Sequence, residues 1–306
     1  MTTAILNIFA AGTILSGIIR GIVPAQEYVW NWRDAVVMKA MSDIYDDDPS
    51  LRPEIAEWAQ VAMTASLQSA HGRHPNGVAS GVGPAFLMRI GLDKEECYAA
   101  SAEKIYRHAA QLRDRTTGMW WHGWAESSEY HDDGCCEYLW NSNNLQRNSE
   151  FWGRGNGWIA MSLADLLSVM PHEHSQYKLL RKWFSQMADT LCRYQDSNTG
   201  HWMQLPLKIG EDGNFIESSC TAMFGYAMAR GLDSGLLKGR KYVRSVELAW
   251  DGLQNHSVSI GIDDSITMGN ICAGTCIGGR DYYYENESFA LGAFLLFANR
   301  MKHRKF

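Results

Sequence analysis

Asp114 to Trp120 reads DRTTGMW, and Asp196 to Trp202 reads DSNTGHW. Each stretch follows an amphipathic segment of helical period. Each sets Asp and Thr ahead of a glycine, which is the chemistry of a helix stop followed by a tight turn. Recurrence of one such turn along a chain marks a repeated helical hairpin. Hairpins that bury one face against their neighbours either extend as solenoids or close into α/α toroids. Long, varied, aromatic loops at one end favour the closed form, with a cleft at that end.

The segments around these turns agree. In DAVVMKAMSDIYDDD, Val36, Val37, Ala40, Met41 and Ile44 fall on one helical face. PEIAEWAQVAMTASL repeats the pattern with Ile55, Trp58, Ala59 and Met63. GPAFLMRIG and EECYAASAEKIYRHAAQL pair in the same way. So do WIAMSLADLLSVM with YKLLRKWFSQMADTLCRYQD, and SSCTAMFGYAMARGL with YVRSVELAWDGLQ. ESFALGAFLLFANRM closes the chain. Strand alternation is rare, with short strands expected only near Trp202 to Leu207. No linker or low-complexity stretch divides the 306 residues. One all-α domain over 1–306 is expected, with 1–27 as an N-terminal helix or extension.

The apolar stretch Ala4 to Val23 is interrupted by Arg20, lacks a preceding basic residue and is short for a membrane span. It reads as a core helix, with a secretion signal as the alternative. The seven cysteines suit thiols in a reducing compartment, so the cytoplasm is the expected location. A net charge of −6 without a basic run argues against a nucleic-acid partner. The 12 Trp and 13 Tyr exceed what sets this composition apart as ordinary. Most belong to the core, and those standing beside His and Arg suit a cleft that stacks on a ligand.

Two clusters carry that reading. Phe151 to Trp158 is FWGRGNGW. Its glycines, two apart and preceded by no strand, fit neither a dinucleotide fingerprint nor a phosphate loop. They are expected to turn the backbone ahead of a helix starting near Trp158. Arg154 and Trp158 would then stand at a helix N-terminus, where an anion is favoured. Arg154 offers a bidentate partner for a carboxylate, or else is a surface arginine beside a structural turn. The second cluster, MWWHGW, sets His122 among Trp120, Trp121 and Trp124 after a turn. His131, Asp132 and Asp133 follow at a spacing that fits no standard metal site, so no metal is expected.

TGMWWHGW followed by FWGRGNGWIAMSLADLL resembles glycoside hydrolase family 105, the unsaturated glucuronyl and rhamnogalacturonyl hydrolases. The resemblance continues in order through WNWRDAVVMKAMSDIYD, YQDSNTGHWMQLP, ESSCTAMFGYAMARGL and ICAGTCIGGRDYY, covering nearly all of the chain after Tyr28. It implies an (α/α)6 barrel and a small oligosaccharide substrate with a 4,5-unsaturated uronic acid at its non-reducing end. It also implies hydration of the C4=C5 bond without a cofactor: an aspartic acid protonates C4, water adds at C5, and the hemiketal opens to release the aglycone. Trp30, His122, Trp124, Arg154 and Trp158 take substrate-pocket positions by this resemblance, with Arg154 on the uronate carboxylate.

One departure bears on catalysis. The family's aspartate is expected ahead of the HGW hairpin, yet no Asp or Glu occurs between Glu57 and Asp93, and HPNGVASGVGPAFL stands in the corresponding region. Either a hairpin is deleted between about Tyr106 and Gly118, or the acid is replaced. A deletion would expose apolar surface for an N-terminal segment or a second copy to cover, so a monomer or a homodimer is expected. Asp132 and Asp133 are candidate substitutes, with Glu126 nearer to His122. A sugar-acid binder without turnover is the alternative function. An ordinary glycosidase would need two facing carboxylates, for which the sequence offers no clear pair.

Overall fold

The computed structural model describes residues 32–53, 55–57, 59, 115–119, 151–261, 266–272, 283–302 and 304. Their regular elements are helices α1 (Trp32–Asp47), α2 (Gly153–Val169), α3 (Tyr177–Arg193), α4 (Ser218–Asp233), α5 (Arg240–His256) and α6 (Ser288–Lys302). Between α5 and α6 lie four short strands, β1 (Val258–Ile260), β2 (Ile266–Met268), β3 (Ile271–Cys272) and β4 (Tyr283–Tyr284). β3 and β4 pair antiparallel, with Ile271 opposite Tyr284. The strand expected near Trp202 to Leu207 is reduced to an isolated bridge between Met203 and Ile216. The N-terminal stretch 4–23 lies outside the described residues.

The chain packs as two compact units. One comprises Met1–His108, Ser259–Thr267 and Asn286–Phe306, and the other Ala109–Val258 and Met268–Glu285. In the first, the five apolar positions of α1 read from the sequence are all buried. They pack on α6, whose Gly292 lets the two backbones approach: a Cβ there would lie 2.7 Å from Val36 C and Val37 N. Polar bonds fix the register, with Arg300 3.2 Å from Asp43 and Asn299 Nδ2 donating to Asp47 over 2.5 Å.

In the second unit α4 is buried on nearly every face, between α2 and α5. A helix apolar all round belongs to an interior. α3 and α5 instead bury one stripe each. In α3 it is Tyr177, Leu180, Phe184, Met187, Ala188 and Leu191, at three- and four-residue spacing. The two recurring turns have one geometry. Gly118 and Gly200 adopt φ of +77° and +75°, which only glycine takes without strain. In one, Met119 N donates to Thr117 Oγ1, and in the other His201 N donates to Thr199 Oγ1. Each turn is then tied to a neighbouring helix. Thr190 of α3 donates to Thr117 O over 2.6 Å, and Gln195 bridges Gly200 O to Ser245 O of α5.

The glycines of GRGNGW differ from expectation: α2 begins at Gly153, so all three lie inside the helix. For Gly153 and Gly157 the packing against α4 calls for glycine. A Cβ at Gly153 would meet Cys220 Sγ at 2.8 Å, and one at Gly157 would meet Met223 Sδ at 2.6 Å and Met223 Cβ at 2.9 Å. Helix propensity, worth about 1 kcal/mol for alanine over glycine, is given up for contact between the helices. Gly157→Ala is therefore expected to destabilise the protein by up to about 2 kcal/mol, the overpacking cost of about 1–3 kcal/mol less the propensity gain of about 1 kcal/mol. Urea unfolding of the variant measures this, and a stabilised variant would refute the close approach.

Candidate functional site

Arg154 occupies the second position of α2, at the helix N-terminus as the sequence implied. Its side chain is 1% exposed. Nη1 donates to the carbonyl of Cys272 on β3 over 2.5 Å, and the guanidinium carbon lies 4.3 Å from the centre of the Trp152 ring. Glu217, 0% exposed, places Oε1 3.8 Å from Nη1. The guanidinium therefore already has an internal counter-ion.

Glu217 is itself held from several sides. It is the N-cap of α4, and its carboxylate accepts from the backbone N–H of Ser219 (3.3 Å) and Cys220 (2.6 Å), two of the donors that a helix start leaves without intrahelical partners. Ser219 Oγ donates to both carboxylate oxygens over 2.8 Å. The backbone N–H of Cys272 donates to Oε1 over 3.0 Å. The peptide groups flanking Cys272 thus bridge the pair, N–H to Glu217 and C=O to Arg154. Around them, Gly153 N donates to Gln204 O, and Cys272 Sγ donates to the side chain of Gln204 over 3.1 Å. One buried junction joins the starts of α2 and α4, the 202–204 segment and β3.

A second polar chain runs beside it. His201 Nδ1 lies 3.0 Å from Thr199 O, which only accepts, so Nδ1 carries the proton and Nε2 accepts from Ser257 Oγ at 2.7 Å. Ser218 Oγ donates in turn to Ser257 Oγ over 2.8 Å. Burial holds the His201 imidazole below its ordinary value, and the nearby His256 adds to this against the pull of the Thr199 carbonyl. The Cys220 thiol is pushed well above its ordinary value by burial and by Glu217, so it is not a reactive thiolate.

Trp158, one helical turn beyond Arg154, is half-buried on α2. Trp30, His122, Trp124, Asp132 and Asp133 lie outside the described residues, as does the HPNGVASGVGPAFL segment. Trp202, by contrast, is core: fully buried, edge-on to Phe224, its indole N–H donating to Leu191 O. Four described aspartates have displaced pKa values, and all four lie below the ordinary carboxylate value. In Asp43 burial is outweighed by Lys39 and Arg300. In Asp189 burial is outweighed by Lys241 and Tyr242, and in Asp196 by Thr199 and backbone N–H groups. Asp48 is held down chiefly by Ser50. None of these four has the raised pKa that suits a general acid near neutral pH. Among the described residues no cluster of three or more His, Cys, Asp or Glu could hold a metal ion. Nor is any helix there long and apolar enough to cross a membrane.

The sequence reading missed Glu217 and Cys272 as partners of Arg154, and Gln204 as a partner of Cys272. An acid directly ahead of Ser-Ser at the start of an apolar helix is a cap signal. Its pairing with an arginine 63 residues earlier has no local signature.

The chain belongs to glycosyl hydrolase family 88, whose family model matches residues 81–305. The 24.9 kDa protein in the picA locus of Rhizobium radiobacter is 31% identical over 140 residues, 46% of this chain and 56% of that protein. The unsaturated rhamnogalacturonyl hydrolase YesR of Bacillus subtilis is 22% identical over 171 residues, 55% of this chain and 43% of that protein. The chain thus spans about half the length of these curated relatives. A solved family 105 glycoside hydrolase from C. acetobutylicum superposes with a TM-score of 0.69 at 18% identity, over 94% of this chain and 97% of that one. The family 105 resemblance and the all-α, (α/α)6-toroid class agree with these relationships.

If His201 is neutral in the fold, stability carries a pH dependence of known sign. A histidine whose folded value lies below its unfolded value of about 6.5 contributes fully above that pH. The contribution is lost as pH falls from about 6.5 toward the lowered folded value. Urea unfolding between pH 7.5 and 5 should show this decline, and His201→Gln should flatten it. An identical slope in the variant would exclude His201 as the source.

Proposed function

We propose that the protein is a hydrolase of oligosaccharides ending in a 4,5-unsaturated uronic acid, acting by hydration of the C4=C5 bond. Membership of glycosyl hydrolase family 88 carries this reading. The relative from Bacillus subtilis, an unsaturated rhamnogalacturonyl hydrolase by name, supports the substrate class. Arg154 and Trp158 lie four residues apart on one helix and therefore share a face. In this reading Arg154 attracts the uronate carboxylate and Trp158 offers an apolar surface to the sugar, with Trp30, His122 and Trp124 completing the pocket.

The reaction needs an acid that delivers a proton to C4 and a water that adds at C5. Asp132 and Asp133, outside the described residues, are the candidates for that acid. The absence of any Asp or Glu from 58 to 92 favours a second reading, in which the sugar acid is bound and not turned over.

Incubation with an unsaturated galacturonyl-rhamnose disaccharide separates the two. The C4=C5 bond conjugated to the carboxylate absorbs in the ultraviolet, and hydration removes that band. Loss of absorbance is expected, and Arg154→Ala is expected to abolish it. Persistent absorbance with measurable binding would establish the binder instead.

A further inference from the structure

The carboxylate of Glu217 is the feature that the proposed reaction leaves without a role. It is fully buried, and its bonds to Ser219, Cys220 and Cys272 would be sufficient for a helix cap. It nevertheless stands 3.8 Å from the one arginine assigned to the substrate. At that distance and depth, opposite charges interact strongly, because little water screens them. In the proposed reading, the uronate is drawn to an arginine whose charge is already largely balanced.

We propose that Glu217 is a specificity-determining residue of this site: by balancing Arg154 from within, it sets how strongly the site prefers an acidic sugar over a neutral one. This rests on the reading of Arg154 as the group that attracts the uronate. Two features separate the charge of Glu217 from its scaffolding. Arg154 is also anchored by the Cys272 carbonyl, a bond that does not involve Glu217. The Cys272 N–H bonds Oε1 of Glu217, which a glutamine oxygen can replace. Glu217→Gln thus removes the negative charge while the backbone anchor of the guanidinium stays in place.

The test is a comparison of dissociation constants, by calorimetry, for the unsaturated galacturonyl-rhamnose disaccharide and for its methyl ester. It needs no turnover. The ratio of the two constants isolates the carboxylate. Glu217→Gln is expected to raise the preference for the acid by about tenfold or more, since the opposing charge near Arg154 is gone. Glu217→Asp covers the case in which the glutamine variant does not fold. Aspartate is a favoured helix cap and keeps the bonds to the start of α4. Its shorter stem withdraws the carboxylate from Arg154, so the preference should rise in the same direction, by a smaller factor.

Parallel changes in the two constants would overturn the proposal and leave Glu217 as a cap alone. A reduced preference for the acid would also overturn it, by showing that Glu217 mainly positions the arginine. Arg154→Ala tells this failure from that of the underlying reading. If it leaves the acid-to-ester ratio at the native value, Arg154 does not contact the uronate, and both ideas fall. If it collapses the ratio while Glu217→Gln does not move it, only the present inference falls.

Discussion

A guanidinium buried at the start of α2 imposes a condition on everything packed around it. Burying an ionised group without an opposite charge and hydrogen bonds costs far more than a protein's whole stability margin. Arg154 meets the condition with Glu217, the Cys272 carbonyl and the face of Trp152. Each partner comes from a different part of the second unit. The ion pair is consequently a statement about tertiary structure. The start of α4 must lie beside the start of α2, and β3 must run past both. The glycines serve the same end, since a side chain at Gly153 or Gly157 would hold the two helices apart.

How much of this could be read from the sequence depends on the range of each interaction. The stripes of α1 and α3 were legible because burial leaves a three- and four-residue rhythm in the chain itself. The turns at Gly118 and Gly200 were legible because Thr and Gly act within a few residues of each other, and the hydrogen bonds at both turns bear out the repeat. The glycines of GRGNGW were read as a turn before the helix. Their local chemistry allows that, and the close approach of Cys220 to Gly153 and of Met223 to Gly157 inside the helix has no local signature. Glu217 escaped for the same reason, since no rule of spacing connects it to Arg154. Trp202 fits the reading that most of the aromatic residues are core, held by its hydrogen bond to Leu191 O and its contact with Phe224.

The chemistry of the site follows the same division. An arginine at a helix start is an anion-attracting element in isolation. With a carboxylate 3.8 Å away it becomes one half of a balanced pair, and its service to a ligand depends on that partner. The described aspartates with displaced acidities are all tuned toward the ionised form by cations, hydroxyls or backbone N–H groups, which suits turns and helix-to-helix ties. Proton delivery to a vinyl carbon demands the opposite tuning, a carboxyl kept protonated by a dry, uncompensated setting. The two kinds of site are chemically distinct, and these four aspartates are of the first kind.

The measurement that bears most directly on the buried pair is a double-mutant cycle on unfolding free energy, with Arg154→Met, Glu217→Gln and the two combined. Groups in one buried network are expected to couple, by about 1–3 kcal/mol. The double variant should then lose clearly less stability than the two single losses added together, because removing either charge leaves the other uncompensated. Additivity to within about 0.5 kcal/mol would contradict the junction as described, and with it the reason that α2, α4 and β3 meet at Arg154.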